Sequence, residues 1–407
     1  MNYIHKYTTC IIQYLYIYIM ISSAGMALPA YIGNDNFIIL TLLMGIYYVL
    51  KQKQYLLFIG CLFFSMLLVI IGSTLSLGTA LSVTSIPLII YTTYKIDPRN
   101  YLQRFVKLIF YIALISIILF TIIRLFGFNS FSGIFPHLYT SFYREGQVYR
   151  YGGFLYRFVT LHSDRNCGPF GEPGQYQCVL AVALYFTLFR PLLFKEKERM
   201  LYMIVFFFAL ITTLSTSGYI SLSILIFCFL LHSSKATNKR MKKIYIAMII
   251  GTVFFMSTTE LGSEFLNTVV FHKIYANGQL DFSLSSGGAR TISISSVLST
   301  IYHHPITLVG VGYDELRNMG VEGCAGFLFL LLAIGIMPFS ILFGFCFYQV
   351  FKYNKGIWDI IVRILLVINM GLGQPHIINF ALFTMMLYPY FIVNSFKKTR
   401  ISHVRSC

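Results

Sequence analysis

The sequence predicts an all-α, polytopic membrane protein with about twelve membrane-spanning helices, folded as a single integral membrane domain over residues 1–407. Three observations carry that prediction. Of the 407 residues, 57% are apolar and only 11% are charged, against about a quarter charged in an average soluble domain. The apolar residues lie in long runs, most of them long enough to cross a hydrocarbon layer of about 30 Å and several shorter. Lys and Arg gather in alternate connections between those runs, the pattern that orients a membrane protein.

The runs are Cys10–Ala30, Phe37–Leu50, Tyr55–Gly72, Leu75–Tyr94, Phe105–Phe128, Gln175–Phe189, Leu201–Thr216, Tyr219–His232, Ile244–Glu260, Gly323–Phe351, Trp358–Leu372 and Ile377–Phe396. The first exceeds a signal-peptide core and reads as a retained span. With both termini cytoplasmic, the inner connections hold Lys6, Lys51 and Lys53, then Lys95 to Lys107, Arg190 to Arg199, Lys235 to Lys243, Lys352 and Lys355, and Lys397 to Arg405. Those stretches contain most of the 31 Lys and Arg, and no inner connection is empty.

The net charge of +17 therefore faces anionic lipid first. No basic run sits on a soluble region large enough to grip a duplex, which excludes a nucleic-acid partner. The eight Cys show no CxxC spacing and fall mostly inside apolar runs, so neither a disulfide scaffold nor a zinc cluster is expected. No Asp-x-Asp pair or His/Asp/Glu cluster appears, and no metal or other cofactor is predicted.

Two connections on the outer side are long, 129–172 and 261–322, and long connections in a compact chain are where function concentrates. No internal or inverted repeat is visible, which weakens a transporter reading. The first loop interleaves Arg144, Arg150, Arg157 and Arg165 with Tyr139, Phe142, Tyr143, Tyr149, Tyr151, Phe154, Tyr156 and Phe158. An interfacial aromatic belt with solvated arginines explains this pattern. So does a surface for an anionic, sugar-bearing lipid, since guanidinium forks hold phosphate oxygens and flat rings stack on sugars.

The loop ends in Arg165-Asn166-Cys167-Gly168-Pro169-Phe170-Gly171-Glu172-Pro173-Gly174-Gln175-Tyr176, and a span follows directly. Pro173 suits the first helical position and Glu172 the positive helix end. An Arg165–Glu172 ion pair is a second structural reading, and chemistry on a lipid pyrophosphate is the third. In the second loop, Gly287-Gly288 permits a tight turn and Arg290 opens a helix-like segment that ends at Pro305. His303 and His304 are adjacent and point to different faces, so one of them suits hydrogen bonding or proton transfer better than both suit a metal. Gly310-Val311-Gly312 allows close backbone approach to a ligand. Thr216-Ser217-Gly218 forms a polar turn that also fits helix packing. Asp359 and Arg363, four apart near an inner helix end, pair or snorkel.

Taken in order, Arg165-x-x-Gly168-x-Phe170-x-Glu172-Pro173-Gly174, Thr216-Ser217-Gly218, Ser286-Gly287-Gly288-Ala289-Arg290, His304-Pro305 and Gly310-x-Gly312 resemble the bacterial O-antigen polymerase/ligase family. The resemblance covers roughly Arg165 to Gly335. Where the ligase branch carries a His after the Gly-x-Gly, this chain reads Tyr313-Asp314-Glu315-Leu316-Arg317-Asn318, which favours a polymerase. Ser217-Gly218 stands where a polymerase-type turn often has Ser-Arg, so no catalytic arginine is carried there. Arg157 and Gly168 also match an Arg-x10-Gly spacing described for some polymerases, one common enough to arise by chance.

The resemblance implies a GT-C-like glycosyltransferase in the bacterial cytoplasmic membrane, with its active site on the extracytoplasmic face. Its substrates would be undecaprenyl-pyrophosphate-linked oligosaccharides, with membrane lipid around it and a chain-length regulator as an expected protein partner. Arg165 and Arg290 would clamp the pyrophosphate with Arg157 in support. Glu172 would act as base or acceptor-orienting carboxylate, and His304 and Tyr313 would contact substrate. The competing expectations are an O-antigen ligase-type transferase, a polysaccharide transporter or flippase, and a structural membrane subunit.

Overall fold

A computed structural model of the chain describes residues 2–51, scattered positions between 53 and 97, and 100–128, 149–150, 154–232, 236–260, 275–276 and 279–280. It further describes 295, 297–302, 308, 310–319, 326–353, 356–373 and 381–388. Among these residues the protein is all-α in character: helix dominates, and strand is confined to two short antiparallel pairs. The helices are α1 (Asn2–Ser22), α2 (Ala27–Ile32), α3 (Asn34–Lys51), α4 (Tyr101–Phe126), α5 (Pro173–Phe189), α6 (Glu196–Thr212) and α7 (Thr216–His232). They continue with α8 (Ala236–Thr258), α9 (Tyr313–Asn318), α10 (Gly326–Ile334), α11 (Ile336–Tyr353) and α12 (Ile357–Gly373). Strands β1 (Tyr149–Arg150) and β2 (Phe158–Val159) pair in the first long loop, and β3 (Tyr275–Ala276) and β4 (Gln279–Leu280) pair in the second.

Helix α5 is the axis. Every one of its residues is buried, as expected of a helix apolar on all sides. It packs against α4, α6, α7 and α12. Side-chain contacts fix the relative directions. Gln177 near the start of α5 meets Ser217 near the start of α7, and Asn369 late in α12 meets the same turn of α7. At the other end, Arg190 after α5 meets Asp359 early in α12, and Arg199 early in α6 meets the last carbonyls of α5. So α5 and α7 run one way while α6 and α12 run the other. The bundle has a loop end, where α5 begins, and a charged end, where it stops.

Two expected spans are corrected. The run Cys10–Ala30 is not one helix: α1 stops at Ser22, and Gly25 at φ +98° turns the chain into α2. The run Gly323–Phe351 is likewise divided into α10 and α11 at Gly335, whose φ of +83° only glycine adopts freely. Gly335 lies inside unbroken apolar sequence and Gly25 follows only the small polar pair Ser22-Ser23, so hydropathy barely marks either break.

Among the described residues, two helices are long and apolar enough to cross a membrane. They are α4 and α11, with mean hydropathy 2.7 and 1.3. Shorter apolar helices cover Cys10–Ser22 and Thr216–His232. Most of the expected spans Tyr55–Gly72, Leu75–Tyr94 and Ile377–Phe396 lies outside the described residues, although 381–388 is helical.

Candidate functional site

Residues 154–172 fold onto the start of α5 through a circuit of backbone bonds. Arg157 N donates to the Gly168 carbonyl at 2.7 Å. The Gly25 carbonyl accepts twice, from Gly171 N at 3.0 Å and from Arg157 Nη1 at 2.6 Å. Met26 and Phe170 form an isolated antiparallel bridge beside them. Arg157 is buried, and a Cβ on Gly171 would stand 3.1 Å from its Nη1. Its guanidinium thus brackets the loop to the α1–α2 turn.

Arg165 sits differently. Its Nε donates to the Thr213 carbonyl at 3.3 Å and its Nη2 to the Leu214 carbonyl at 3.0 Å. These carbonyls belong to the end of α6 and the turn into α7, where helix geometry leaves acceptors without intrahelical partners and favours a cation. Leu214 holds φ at +50°, so the turn is sharp. Burial draws the Arg165 guanidinium below its ordinary pKa, opposed by Cys167, Asp164, Tyr219 and Glu172. Guanidinium starts so high that it stays charged. Among the described residues, Nη1 of Arg165 donates to nothing.

Glu172 is the exposed N-cap residue of α5, with no side-chain cap bond, and Pro173 occupies the first helical position as expected. No ion pair joins Glu172 to Arg165 among the described residues, although its charge reaches the guanidinium. Between the arginines lies Cys167, fully buried, whose thiol is pushed up to about 12 by burial, with Arg165 and Arg157 pulling it partly back.

The loop rests on a buried polar floor that sequence reasoning missed. Asn166 is completely buried and saturated. Its N donates to the Thr212 carbonyl at 3.0 Å and its Nδ2 to Ser116 Oγ and Thr212 Oγ1, while its Oδ1 accepts from Gly168 N at 3.0 Å. Ser116 also bonds the Tyr176 hydroxyl at 2.7 Å. Deeper in, Gln177 Nε2 donates to Ser217 Oγ, Ser221 Oγ donates to Gln177 Oε1, and Asn369 Nδ2 donates to Ser221 Oγ at 2.7 Å. The signal for the deeper residues was Gln177 and Asn369 standing inside apolar runs.

Other expected pieces find different partners. Ser217 and Gly218 are packed against α5, a Cβ on Gly218 standing 3.3 Å from Gln177 Cβ, so Thr216-Ser217-Gly218, expected as a connecting turn, instead opens α7 and packs it on α5. The Gly310-x-Gly312 backbone lies against the end of α10. Val311 N and Gly312 N donate to the Leu332 and Ala333 carbonyls at 3.1 and 2.9 Å, and Gly310 presses on the same helix end. Tyr313 opens α9, but its side chain, like all of Arg290 and His304, lies outside the described residues. The structure thus brings Arg157, Arg165 and Glu172 onto one loop. It leaves their relation to Arg290 and His304 undescribed.

No protein-family model matches the chain, and neither a curated protein nor a solved structure matches it. Function therefore has to be argued from the chemistry of the loop end. There, an oriented guanidinium edge and an exposed carboxylate stand above a rigid floor of saturated polar groups, a setting able to hold an anion beside a proton acceptor.

Proposed function

We propose that this chain is a lipid-linked polysaccharide polymerase of the bacterial cytoplasmic membrane. In this reading it is a GT-C-like glycosyltransferase with about twelve membrane helices and cytoplasmic termini. It works at the extracytoplasmic face, moving a growing glycan from undecaprenyl pyrophosphate to the next lipid-linked repeat unit. The reading is supported by apolar side chains that face outward, among them Leu43, Tyr47, Leu125, Phe126, Phe227 and Phe254. A surface of that kind suits lipid contact. The loop end is then the outer end, and the charged end is cytoplasmic.

The observation that carries the reading is the setting of Arg165. Two of its N–H groups are fixed on carbonyls, which locks the guanidinium plane, while Nη1 is left for a phosphate oxygen. An acceptor hydroxyl oxygen bonds to the anomeric carbon as the bond from that carbon to the pyrophosphate oxygen breaks. The lipid pyrophosphate leaves with the electron pair, and the hydroxyl proton passes to the Glu172 carboxylate. Pyrophosphate leaves readily, so the enzyme's main work is charge stabilisation and alignment. Arg290 shares the clamp, Arg157 shapes the loop that presents it, and His304 and Tyr313 contact the glycan. No step needs a metal ion.

The test is glycan assembly in cells carrying Arg165→Ala or Arg290→Ala at normal protein level. Loss of long-chain product is expected. Normal chain length and yield from both variants would remove the clamp. Chelator sensitivity of the purified enzyme would contradict the metal-free step.

A further inference from the structure

The first turn of α5 holds a buried acceptor that the fold does not use. Gln175 is only 7% exposed, and its Oε1 accepts from nothing among the described residues. A buried carbonyl oxygen left without a donor is destabilising. Gln177, two residues on, shows the alternative, since its amide is engaged by both Ser217 and Ser221. The Gln175 amide lies over the α1–α2 turn. A Cβ on Gly25 would stand 2.3 Å from Oε1, so the glycine leaves the room that the amide occupies. The surroundings narrow the missing partner. An acceptor oxygen needs a donor, and the Arg157 guanidinium is bonded to the carbonyl of the same Gly25 at 2.6 Å. A cationic donor beside that guanidinium is disfavoured, which leaves a neutral hydroxyl.

Three aromatic rings flank the same turn: Tyr18 on α1, Tyr31 on α2, and Phe154, three residues before Arg157. The Phe154 ring lies 6.4 Å from that of Tyr18 and 5.5 Å from that of Tyr31. The Tyr18 hydroxyl donates to the Phe154 carbonyl at 2.7 Å and fixes the group, while Phe154 and Tyr31 are 52% and 37% exposed. Ligand sites combine apolar, aromatic faces of this kind with a few placed polar groups. We propose that Gln175 and this aromatic shelf form a subsite for one sugar of the acceptor glycan, a ring hydroxyl donating to Gln175 Oε1 and an apolar ring face lying against Phe154. That the sugar belongs to the acceptor rests on the polymerase reading. Glu172, there the group that takes the acceptor's proton, caps the same turn, and its carbonyl accepts from Gln175 N at 3.1 Å.

The experiment is saturation-transfer NMR on the full-length protein in a detergent without a sugar headgroup. The probes are the methyl glycosides of glucose, galactose and N-acetylglucosamine, with glycerol as a hydroxyl-bearing control that has no ring face. At least one glycoside is expected to show transfer, and glycerol none. Gln175→Met removes the acceptor oxygen at similar volume. Transfer is expected to fall severalfold while the thermal midpoint rises by a few degrees, because an unpaired polar atom leaves the interior. Phe154→Ala, at an exposed position, is expected to reduce transfer with the midpoint unchanged. No transfer from any glycoside overturns the proposal, as does equal transfer from glycerol or undiminished transfer in either variant. A lowered midpoint in Gln175→Met also overturns it, since the amide would then be a bonded structural group. Transfer is read without turnover. Glycoside binding by a protein that assembles no polymer would remove the polymerase reading and the acceptor assignment while the sugar subsite stands, and polymer assembly without glycoside binding would do the reverse.

Discussion

Arg165 donates from Nη2 to the Leu214 carbonyl at 3.0 Å and so ties loop 154–172 to the turn between α6 and α7. That bond orients the guanidinium and also braces the turn, and the two roles separate experimentally. Arg165→Ala is expected to lower polymer yield per folded molecule on the order of 10²-fold, as loss of one oriented charge donor does elsewhere. Arg165→Lys keeps the charge without the planar fork and should fall between. A fall in melting temperature with yield per folded molecule unchanged would reassign Arg165 as a brace alone.

Gly168 holds φ at +52°, and a Cβ there would stand 2.7 Å from the Tyr176 ring. Gly168→Ala is therefore both strained and overpacked, and should cost about 2–4 kcal/mol. Chemical or thermal unfolding measures it. A loss below that range would mean the loop can shift away from α5.

Asp359 pairs with both Arg190 and Arg363, and removing that shared carboxylate should be more damaging than removing either cation. Asp359→Asn leaves two guanidinium groups facing each other in a buried setting, with an expected loss of about 3–5 kcal/mol. Adding Arg363→Met to Asp359→Asn should recover part of that loss. Additive effects of the two changes in unfolding experiments would contradict the shared-charge picture.

The Cys167 thiol holds its proton more tightly folded than unfolded. Its contribution to stability is whole below the ordinary thiol value and is lost as pH rises towards about 12. Cys167→Ala should flatten that decline, and the native thiol should resist alkylation at neutral pH until the protein is unfolded. Rapid labelling of the folded protein would place Cys167 outside the buried loop.

Local chemistry was readable where neighbours in sequence decide it. Glu172-Pro173 starts α5 as the sequence predicts, because a helix start depends on adjacent residues. The all-α class followed from hydropathy. The breaks at Gly25 and Gly335 were hidden, since a glycine in an apolar run does not announce its φ. Half of the Arg190–Asp359–Arg363 cluster was visible in the spacing of Asp359 and Arg363, but Arg190 lies 169 residues from Asp359 and only packing brings it there. Asn166 was missed for the same reason: Ser116 and Thr212 are 50 and 46 residues away. The Gly310-x-Gly312 spacing marked close backbone approach correctly in kind. Its partner among the described residues is a helix end.

The most direct measurement uses the purified protein in liposomes with a lipid-linked oligosaccharide as both donor and acceptor. The account predicts a ladder of repeat units with release of undecaprenyl pyrophosphate from the native protein, and neither product from Arg165→Ala. A native protein that yields no ladder, or an Arg165→Ala protein that yields a full one, would contradict it.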